Sequence, residues 1–514
     1  MRHLPPRWPR LRAAVAGVAA TVLLAGCGAS VASDDTTSTS GSTSGATTSA
    51  VATSDGTTVE EVLADDIAVE TGDTSYDASS ATPVTLHGTS ATADSDAVTP
   101  SDGTVTISAA GTYVLSGELT GQVVVDSAGD GVVRLVLDDA TITSEVSAAI
   151  AVTDAESVVV VLADGSDNAL TDATTYADTS DDAPTGALWS SADLTVGGSG
   201  SLTVTGTSNN GIVGKDGLVI TGGTIDVTSV DDGIIGKDYL VLTDGTVTVD
   251  AAGDTFKATN TDDAGTGFVL VEGGELAVSS QDDGIKGTQV LVSGGTVLVS
   301  GSTEALEGSL VVIDGGDLEL HSADDGVNVA SSDDSASTDG QAGQTGGGMG
   351  GGAEADGSLH LYVNGGTLEV WASGDGLDSN GDATITGGDI TVYGPTTDGN
   401  GALDVNGTFD VSGGTLVATG SAGMMVAPST DSDQAWIAAA LDSTAAAGTE
   451  VVVTDEDGTE VASYTPEKDY ASIVWSSADL EQGATYVVTV GDSSTTVTAG
   501  EAPAGTGMGG PMGG

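Results

Sequence analysis

The chain has 514 residues, enough for several ordinary domains or for one long repeat domain. Its 76 acidic and 10 basic residues give a formal net charge of −66, which repels nucleic acid and anionic lipid surfaces. Hydrophobic residues make up 39% of the chain and recur in strict patterns, which argues against wholesale disorder, while 77 glycines and only 3% aromatic residues favour a repetitive all-β protein.

The N-terminus has the features of an export signal. Arginines within residues 2–12 precede the apolar stretch Ala13–Ala25. The stretch ends in Leu24–Cys27, which resembles the lipobox of bacterial lipoproteins, since an aliphatic and two small residues precede the sole cysteine. We therefore expect residues 1–26 to be removed and Cys27 to carry a lipid that holds the protein on the extracellular face of the cell membrane. The alternative is an ordinary cleaved signal with an incidental cysteine.

Two segments separate this signal from the regular part of the chain. Residues 27–56 are mostly Ser, Thr, Ala, Gly and Asp, a composition that predicts a flexible linker. Residues 57–110 form a lead-in that the sequence pattern does not place. From Gly111 onwards, short apolar runs alternate with turns, which predicts many short strands.

A repeat of about 22 residues extends through residues 111–425. In one unit the strand Leu218–Thr221, a Gly222-Gly223 turn, the strand Thr224–Thr228, an Asp-Asp-Gly turn and a short strand at Ile234 follow one another. Three short strands bury no core alone, but stacked units do, because each backbone pairs with the units above and below it. The predicted fold is therefore all-β, a right-handed parallel β-helix with about 21–22 residues per coil.

The rhythm is interrupted once and then ends. Residues 331–357 are a Gly/Ser/Asp-rich insert that we expect to be a disordered loop. After residue 425, alternating strands and an Asp-Gly turn predict a small β-sandwich-like domain over residues 426–500. Residues 501–514 are rich in Gly, Met and Pro and are expected to be disordered.

The second turn of each repeat is acidic and predicts a metal site. Stacking aligns one acidic residue per repeat, and unit charges about 5 Å apart repel one another, so the column needs compensation. Carboxylates and turn carbonyls are hard oxygen ligands that suit Ca²⁺. The candidate ligands are Asp231, Asp232, Asp254, Asp282, Asp283, Glu304, Asp324 and Asp325. The alternative is that these residues only form Asx-turns in a solvated loop.

Four of the five lysines follow these acidic turns by three to five residues, namely Lys215, Lys237, Lys257 and Lys286. Three roles remain open: charge compensation, binding of acidic sugars, or a general base beside a calcium-bound uronate. The last needs a lysine with a depressed pKa, which surrounding carboxylates oppose. Tyr239 and Trp371 are further candidates because aromatic rings stack on sugar faces.

A resemblance to known proteins spans roughly residues 80–500 and is carried by Gly111–Gly117, Val133–Asp139, Asn209–Asp216 and Val230–Asp238. In these stretches the chain resembles the clostridial-type carbohydrate-binding domain-containing lipoprotein family. It implies a pectate-lyase-like parallel β-helix with bound calcium and affinity for cellulose- or pectin-like polysaccharides. By position it places calcium ligands among Asp231, Asp232, Asp254, Asp282 and Asp283. The chain departs from the pattern at Thr303–Ala305 and in the long insert.

Three functions follow as hypotheses. The first is a calcium-stabilised, non-catalytic polysaccharide-binding lipoprotein of the cell surface, with no nucleic-acid partner. The second is a calcium-dependent, pectate-type polysaccharide lyase that uses one of the repeat lysines. The third is a structural or adhesive stalk without a sugar ligand.

Overall fold

The computed structural model describes residues 56–180, 182–258, 260–331 and 358–503. The predicted signal peptide, Cys27, the linker up to residue 55, residues 332–357 of the insert and residues 504–514 of the tail lie outside the described residues. Strands dominate these ranges, and the helix found in them is the short Val59–Leu63. No helix in this part of the chain is long and apolar enough to cross a membrane.

Most strands pair in parallel and in register, and they form three stacks that we call the first, second and third ladders. The first ladder contains Thr82–Gly88, Gly111–Thr120, Val132–Thr143, Ser157–Leu162, Asp193–Gly198, Gly217–Ile220, Tyr239–Leu242, Phe268–Val271, Gln289–Val292, Leu310–Ile313, His360–Val363, Asp382–Ile385 and Phe409–Val411. The second contains Asp167–Thr171, Ser201–Gly206, Thr224–Ser229, Thr246–Ala251, Glu275–Ser280, Thr296–Val299, Asp317–His321, Thr367–Trp371, Asp389–Tyr393 and Thr415–Gly420. The third contains Thr104–Ile107, Gln122–Asp126, Ile150–Asp154, Gly186–Ser190, Asn210–Gly214, Ile234–Gly236, Phe256–Ala258, Ile285–Gly287, Leu306–Gly308, Val327–Val329, Leu377–Ser379 and Leu403–Val405.

The first and second ladders belong to one 26-stranded sheet, and the third belongs to a 13-stranded sheet. Two further strands, Ser90–Ala93 and Val98–Ser101, pair antiparallel with the first strands of the first and third ladders. The prediction of an all-β chain with parallel strands is confirmed. Parallel pairing already begins with Thr82–Gly88, so the boundary predicted at residue 111 is too late.

From Ser157–Leu162 to Leu403–Val405, each repeat visits the three ladders in the same order, and two kinds of glycine make this possible. In the first turn Gly223 has φ of 93° and Gly245 φ of 109°, a left-handed conformation that costs glycine little. In the second turn Gly233 is needed for space: a Cβ there would lie 2.3 Å from Val249 Cγ1 and 2.5 Å from the Thr255 carbonyl oxygen. Side chains then alternate along the strand, as Ile225 and Val227 are buried while Asp226 is exposed, as predicted.

An N-terminal strap, residues 57–73, covers the outer face of the first ladder. It runs against the order of the repeats: the Val59 amide donates to Asp314 Oδ2 (2.8 Å), and the Gly72 amide donates to Thr195 Oγ1 (2.8 Å). Beneath it lies an apolar cluster that includes Val241 and Phe268, each at most 1% exposed. Strands covered on both faces are apolar at consecutive positions, as in Tyr239–Leu242.

The C-terminal strands form two packed layers. Tyr470–Ser476 pairs antiparallel with Thr415–Gly420 at the end of the second ladder, and Trp436–Ala445 pairs with it in turn. The facing layer is a four-stranded antiparallel sheet made of Glu460–Tyr464, Val451–Thr454, Thr485–Val490 and Ser493–Thr498. The predicted C-terminal β region therefore has a sandwich-like core, but one of its layers continues the long sheet.

The second-turn glycines generate a testable prediction. We expect Gly233→Ala to lower the free energy of unfolding by about 2 kcal/mol, because the added methyl group overlaps backbone and a buried valine that cannot retreat. Gly301→Ala is the control, since a Cβ at Gly301 meets no atom within 4 Å. Thermal unfolding of both variants measures the difference, and equal stability would contradict the close approach of adjacent repeats.

Candidate functional site

The acidic second turns form a hydrogen-bonded column. At five steps of the column, one side-chain oxygen accepts a hydrogen bond from the backbone N–H of the equivalent residue in the next repeat. The donor–acceptor pairs are Asp232 to Asn210 (2.9 Å), Asp254 to Asp232 (2.9 Å), Asp283 to Asp254 (3.1 Å), Glu304 to Asp283 (3.3 Å) and Asp375 to Asp325 (2.6 Å). We call Asn210, Asp232, Asp254, Asp283, Glu304, Asp325 and Asp375 the second-turn column. The predicted alignment of its acidic members, one repeat apart, is therefore present.

Two lysines compensate part of this charge. Lys257 Nζ lies 2.8 Å from Asp254 Oδ2 and 3.2 Å from Asp232 Oδ2. Lys286 Nζ lies 2.8 Å from Asp283 Oδ2 and 2.5 Å from Glu307 Oε2. Asp254 and Asp283 are only 2% and 4% exposed, so their charges depend on these ammonium groups and on the backbone N–H donors.

The four repeat lysines do not share one environment. Lys257 and Lys286 are register neighbours on the outer face of the third ladder, three residues after their column members. Lys215 and Lys237 come five residues after theirs and are exposed in the turn that follows the third ladder. The offset of three or five in the sequence is the signal that separates the two pairs.

The outer face of the third ladder continues with acidic residues. In register beyond Lys286 lie Glu307, Asn328, Asp378 and Asp404. Sequence reasoning missed the three acids among them. The offset of three residues from the second-turn column would have found two of them, Glu307 after Glu304 and Asp378 after Asp375.

Burial makes these carboxylates hard to ionise. Desolvation raises the pKa of Asp378 to about 8, with Asp325 and Asp404 adding repulsion. Desolvation likewise raises the pKa of Asp325 to about 7 and that of Glu304 to about 7. Burial, together with the hydrogen bond to Glu307, raises the pKa of Asp283. These buried carboxylates therefore favour bound protons or cations at neutral pH.

The carboxylates converge at two places. Asp254, Asp282 and Asp283 each offer an oxygen within 4.8 Å of the others, and so do Asp283, Glu304 and Glu307. Of the predicted metal ligands, the structure thus groups Asp254, Asp282, Asp283 and Glu304 and adds Glu307. The remaining predicted ligands, Asp231, Asp232, Asp324 and Asp325, are not in either group.

The two predicted aromatic residues differ. Tyr239 is 2% exposed beneath the strap, where its hydroxyl accepts the Glu70 amide (2.9 Å) and donates to Asp193 Oδ1 (3.2 Å). Its proposed place as a sugar-stacking residue is therefore corrected, because both ring faces are covered. Trp371 is half-buried on the outer face of the second ladder.

The lysines that neutralise the second-turn column are poor bases. Burial would lower the pKa of Lys257, but attraction to Asp254 and Asp232 outweighs it and raises that pKa. A charged ammonium holds its proton and cannot abstract another from a sugar. The arrangement is suited to binding cations and hydroxyl groups through oxygen atoms.

The repeat region of the chain is similar to known proteins. A family model described as "Carbohydrate-binding domain-containing protein" matches residues 101–399. A carbohydrate-binding domain-containing protein of Acetivibrio thermocellus is 42% identical over 193 residues, which are 37% of this chain and 68% of that protein. The structure of a polysaccharide lyase-like protein from C. thermocellum, a gadolinium derivative, covers 46% of this chain and 99% of its own, with 34% identity and a TM-score of 0.43.

The lysine pairs generate a second prediction. Lys257→Met leaves Asp232 and Asp254 without their shared ammonium, so we expect the free energy of unfolding to fall by about 2 kcal/mol at neutral pH. Lys215→Met is the matched control, because Lys215 is exposed and forms no ion pair within the described residues. Chemical denaturation compares the two variants. An equal loss in both would show that Lys257 compensates no buried charge.

Proposed function

The chain belongs to the family of carbohydrate-binding domain-containing proteins, and from this premise we propose that it is a calcium-stabilised, non-catalytic polysaccharide-binding lipoprotein of the cell surface. The observation that carries the calcium part is the convergence of Asp254, Asp282 and Asp283, whose carboxylate oxygens lie within 4.8 Å of one another. Hard oxygen donors grouped in this way are the ligands that Ca²⁺ prefers.

The proposed architecture of the repeat region is a right-handed parallel β-helix. It is supported by the constant order in which the chain visits the three ladders and by one apolar cluster that contains the inward side chains of all three. Right-handedness is the hand that crossovers between parallel strands adopt. In such a helix the second-turn column runs along one edge, where a cation can bridge adjacent coils.

The donor set fits calcium. Asp254 and Asp283 each use one carboxylate oxygen for a backbone N–H and keep the other oxygen for a cation, while Asp282 adds a further carboxylate. Calcium takes roughly six to eight oxygen ligands, so carbonyl oxygens and water would complete the shell. Lys257 and Lys286 hold the same oxygens, and a bound ion would share or displace their ammonium groups.

The net charge of the chain affects which kinds of polysaccharide it can bind, and under what conditions. A protein with a net charge of −66 repels a polyuronate, so binding of a pectin-like chain needs a bridging cation, whereas a cellulose-like chain carries no charge to repel. Because the lysines beside the second-turn column are kept protonated, we propose that the protein binds the polysaccharide without cleaving it, rather than acting as a lyase. A stalk without a sugar ligand remains an outcome of the test below.

The test is retention of the purified full chain on immobilised polygalacturonate. We expect retention with calcium and its loss with excess EDTA, together with a calcium-dependent rise in melting temperature, since an ion at 100 times its Kd stabilises by about 2.7 kcal/mol. A variant combining Asp254→Asn, Asp282→Asn and Asp283→Asn should lose both effects.

A charge-matched control uses Glu456→Gln, Asp457→Asn and Asp492→Asn, three exposed acids of the C-terminal sheet, and should keep both effects. Equal retention with EDTA would remove calcium from the proposal. Failure to bind this or any neutral glycan under either condition would leave the stalk as the better account.

The lipid anchor has its own test. Leu24–Cys27 supports lipidation of Cys27, and Cys27→Ser should shift the protein from the membrane fraction to the medium of producing cells. Incorporation of labelled palmitate into the unsubstituted chain is the accompanying measurement. Unchanged membrane retention of the variant, without label in either protein, would contradict the anchor.

A further inference from the structure

The outer face of the second ladder is open to solvent. The strap covers the first ladder, and lysines and carboxylates occupy the outer face of the third, whereas the outward residues of the second are exposed or half-buried. Asp226, Thr248, Ala277, Leu298, Glu319 and Glu369 are successive register partners that form one column across this face. The face is therefore a flat strip that runs along the stack.

Three aromatic rings stand at one end of the strip. His321, Trp371 and Tyr393 end successive strands and are register partners. The ring centroids of His321 and Trp371 are 5.6 Å apart with planes within 15°, and those of Trp371 and Tyr393 are 4.1 Å apart. The His321 side chain is 36% exposed and Tyr393 is 4% exposed, so the stack rises from the buried end towards the open strip.

Hydrogen bonds fix these rings. Trp371 Nε1 donates to Glu369 Oε1 (2.9 Å), and His321 Nε2 lies 2.8 Å from Glu319 Oε1. The Tyr393 hydroxyl is hydrogen-bonded to that of Tyr464. Side chains held in one orientation lose little conformational entropy on binding, which makes the stack a preorganised surface.

The chemistry of the strip selects its ligand. Apolar ring surface beside carboxylate acceptors matches a pyranose, which presents C–H groups on its faces and hydroxyl donors at its edges. Four of the five lysines lie at the third ladder or in the turn after it, whereas Lys468 lies beside the rings, with its Nζ bound to the carbonyl oxygens of Ala372 and Tyr393. The carboxylates of Glu319 and Glu369 outnumber this single ammonium group and repel an acidic sugar.

We propose that this face is a second, calcium-independent site for an uncharged linear polysaccharide, which lies along the strip and ends against the outer face of the His321 ring, while Trp371 supports that ring from its other side. The proposal rests on the proposed carbohydrate-binding function and divides it between two faces. Uronates need calcium at the second-turn column, whereas neutral chains bind at the aromatic end of the second ladder. Leu298, half-buried and in register with Glu319, adds apolar surface to the strip near the rings.

The test titrates the full chain with cellohexaose in excess EDTA and follows binding by calorimetry. We expect the unsubstituted chain to bind. The double variant His321→Ala/Trp371→Ala should weaken binding about tenfold or more, as loss of a central aromatic anchor does. Calcium-dependent retention on polygalacturonate should be unchanged in this variant. His321→Ala alone, at the exposed end of the stack, should give a smaller loss in the same direction and guards against misfolding of the double variant.

The matched control is His360→Ala, which removes one ring from the stacked pair His360–Tyr362 on the first ladder (centroids 3.7 Å apart) and should leave cellohexaose affinity within about twofold. Equal affinity of the unsubstituted chain and the double variant would overturn the site and leave the proposed function intact. Absence of cellohexaose binding by the unsubstituted chain would also overturn it, and calcium-dependent retention on polygalacturonate would then show separately whether the proposed function stands.

Discussion

In-register parallel pairing turns each position of the repeat into a column, and the rest of the structure depends on this constraint. Ile234 pairs opposite Phe256, and Ile225 opposite Val247, so one apolar choice per repeat builds a continuous core. The same geometry multiplies costs. An acidic residue kept at one position meets its own kind about 5 Å away in both directions, which is unfavourable wherever water is excluded. In a repeat protein, the charges and the packing of each column must therefore be balanced along its whole length.

The second-turn column shows two such solutions in succession. Backbone N–H groups donate to one oxygen of most acids along its length, and lysines neutralise the part around Asp254 and Asp283. Beyond Glu307, the outer positions change to Asn328 and then to aspartates without a lysine, and desolvation raises their pKa values. Along this face, the charge of the acids is thus compensated first by ammonium groups and, further on, by protons or cations.

Local signals made the repeat predictable, and distant contacts limited the rest. The left-handed turn at Gly223, the alternation around Asp226 and the alignment of the acids all follow from spacing within about 22 residues. The strap could not be placed in the same way, because Val59 contacts Asp314 across 255 residues of sequence. The sequence does contain one sign of the strap, since Val219, Val241 and Leu270 are apolar although they occupy outward positions. The strap that covers them also explains why Tyr239 is buried rather than available to a ligand.

The aromatic stack illustrates how an insertion hides a column without breaking it. His321, Trp371 and Tyr393 each come five residues after their turn glycine, yet the first two are 50 residues apart because the insert separates them. Since pairing restores the register across the insert, the rings meet as if they were consecutive. The three ladders then carry different chemistry: an apolar face closed by the strap, an open face ending in rings, and an ionic face suited to cations. If the chain of net charge −66 binds both kinds of polymer as proposed, the two tasks would be separated in space: a uronate would need a bridging cation, and the carboxylates that would accept the hydroxyl groups of a neutral sugar would repel the uronate.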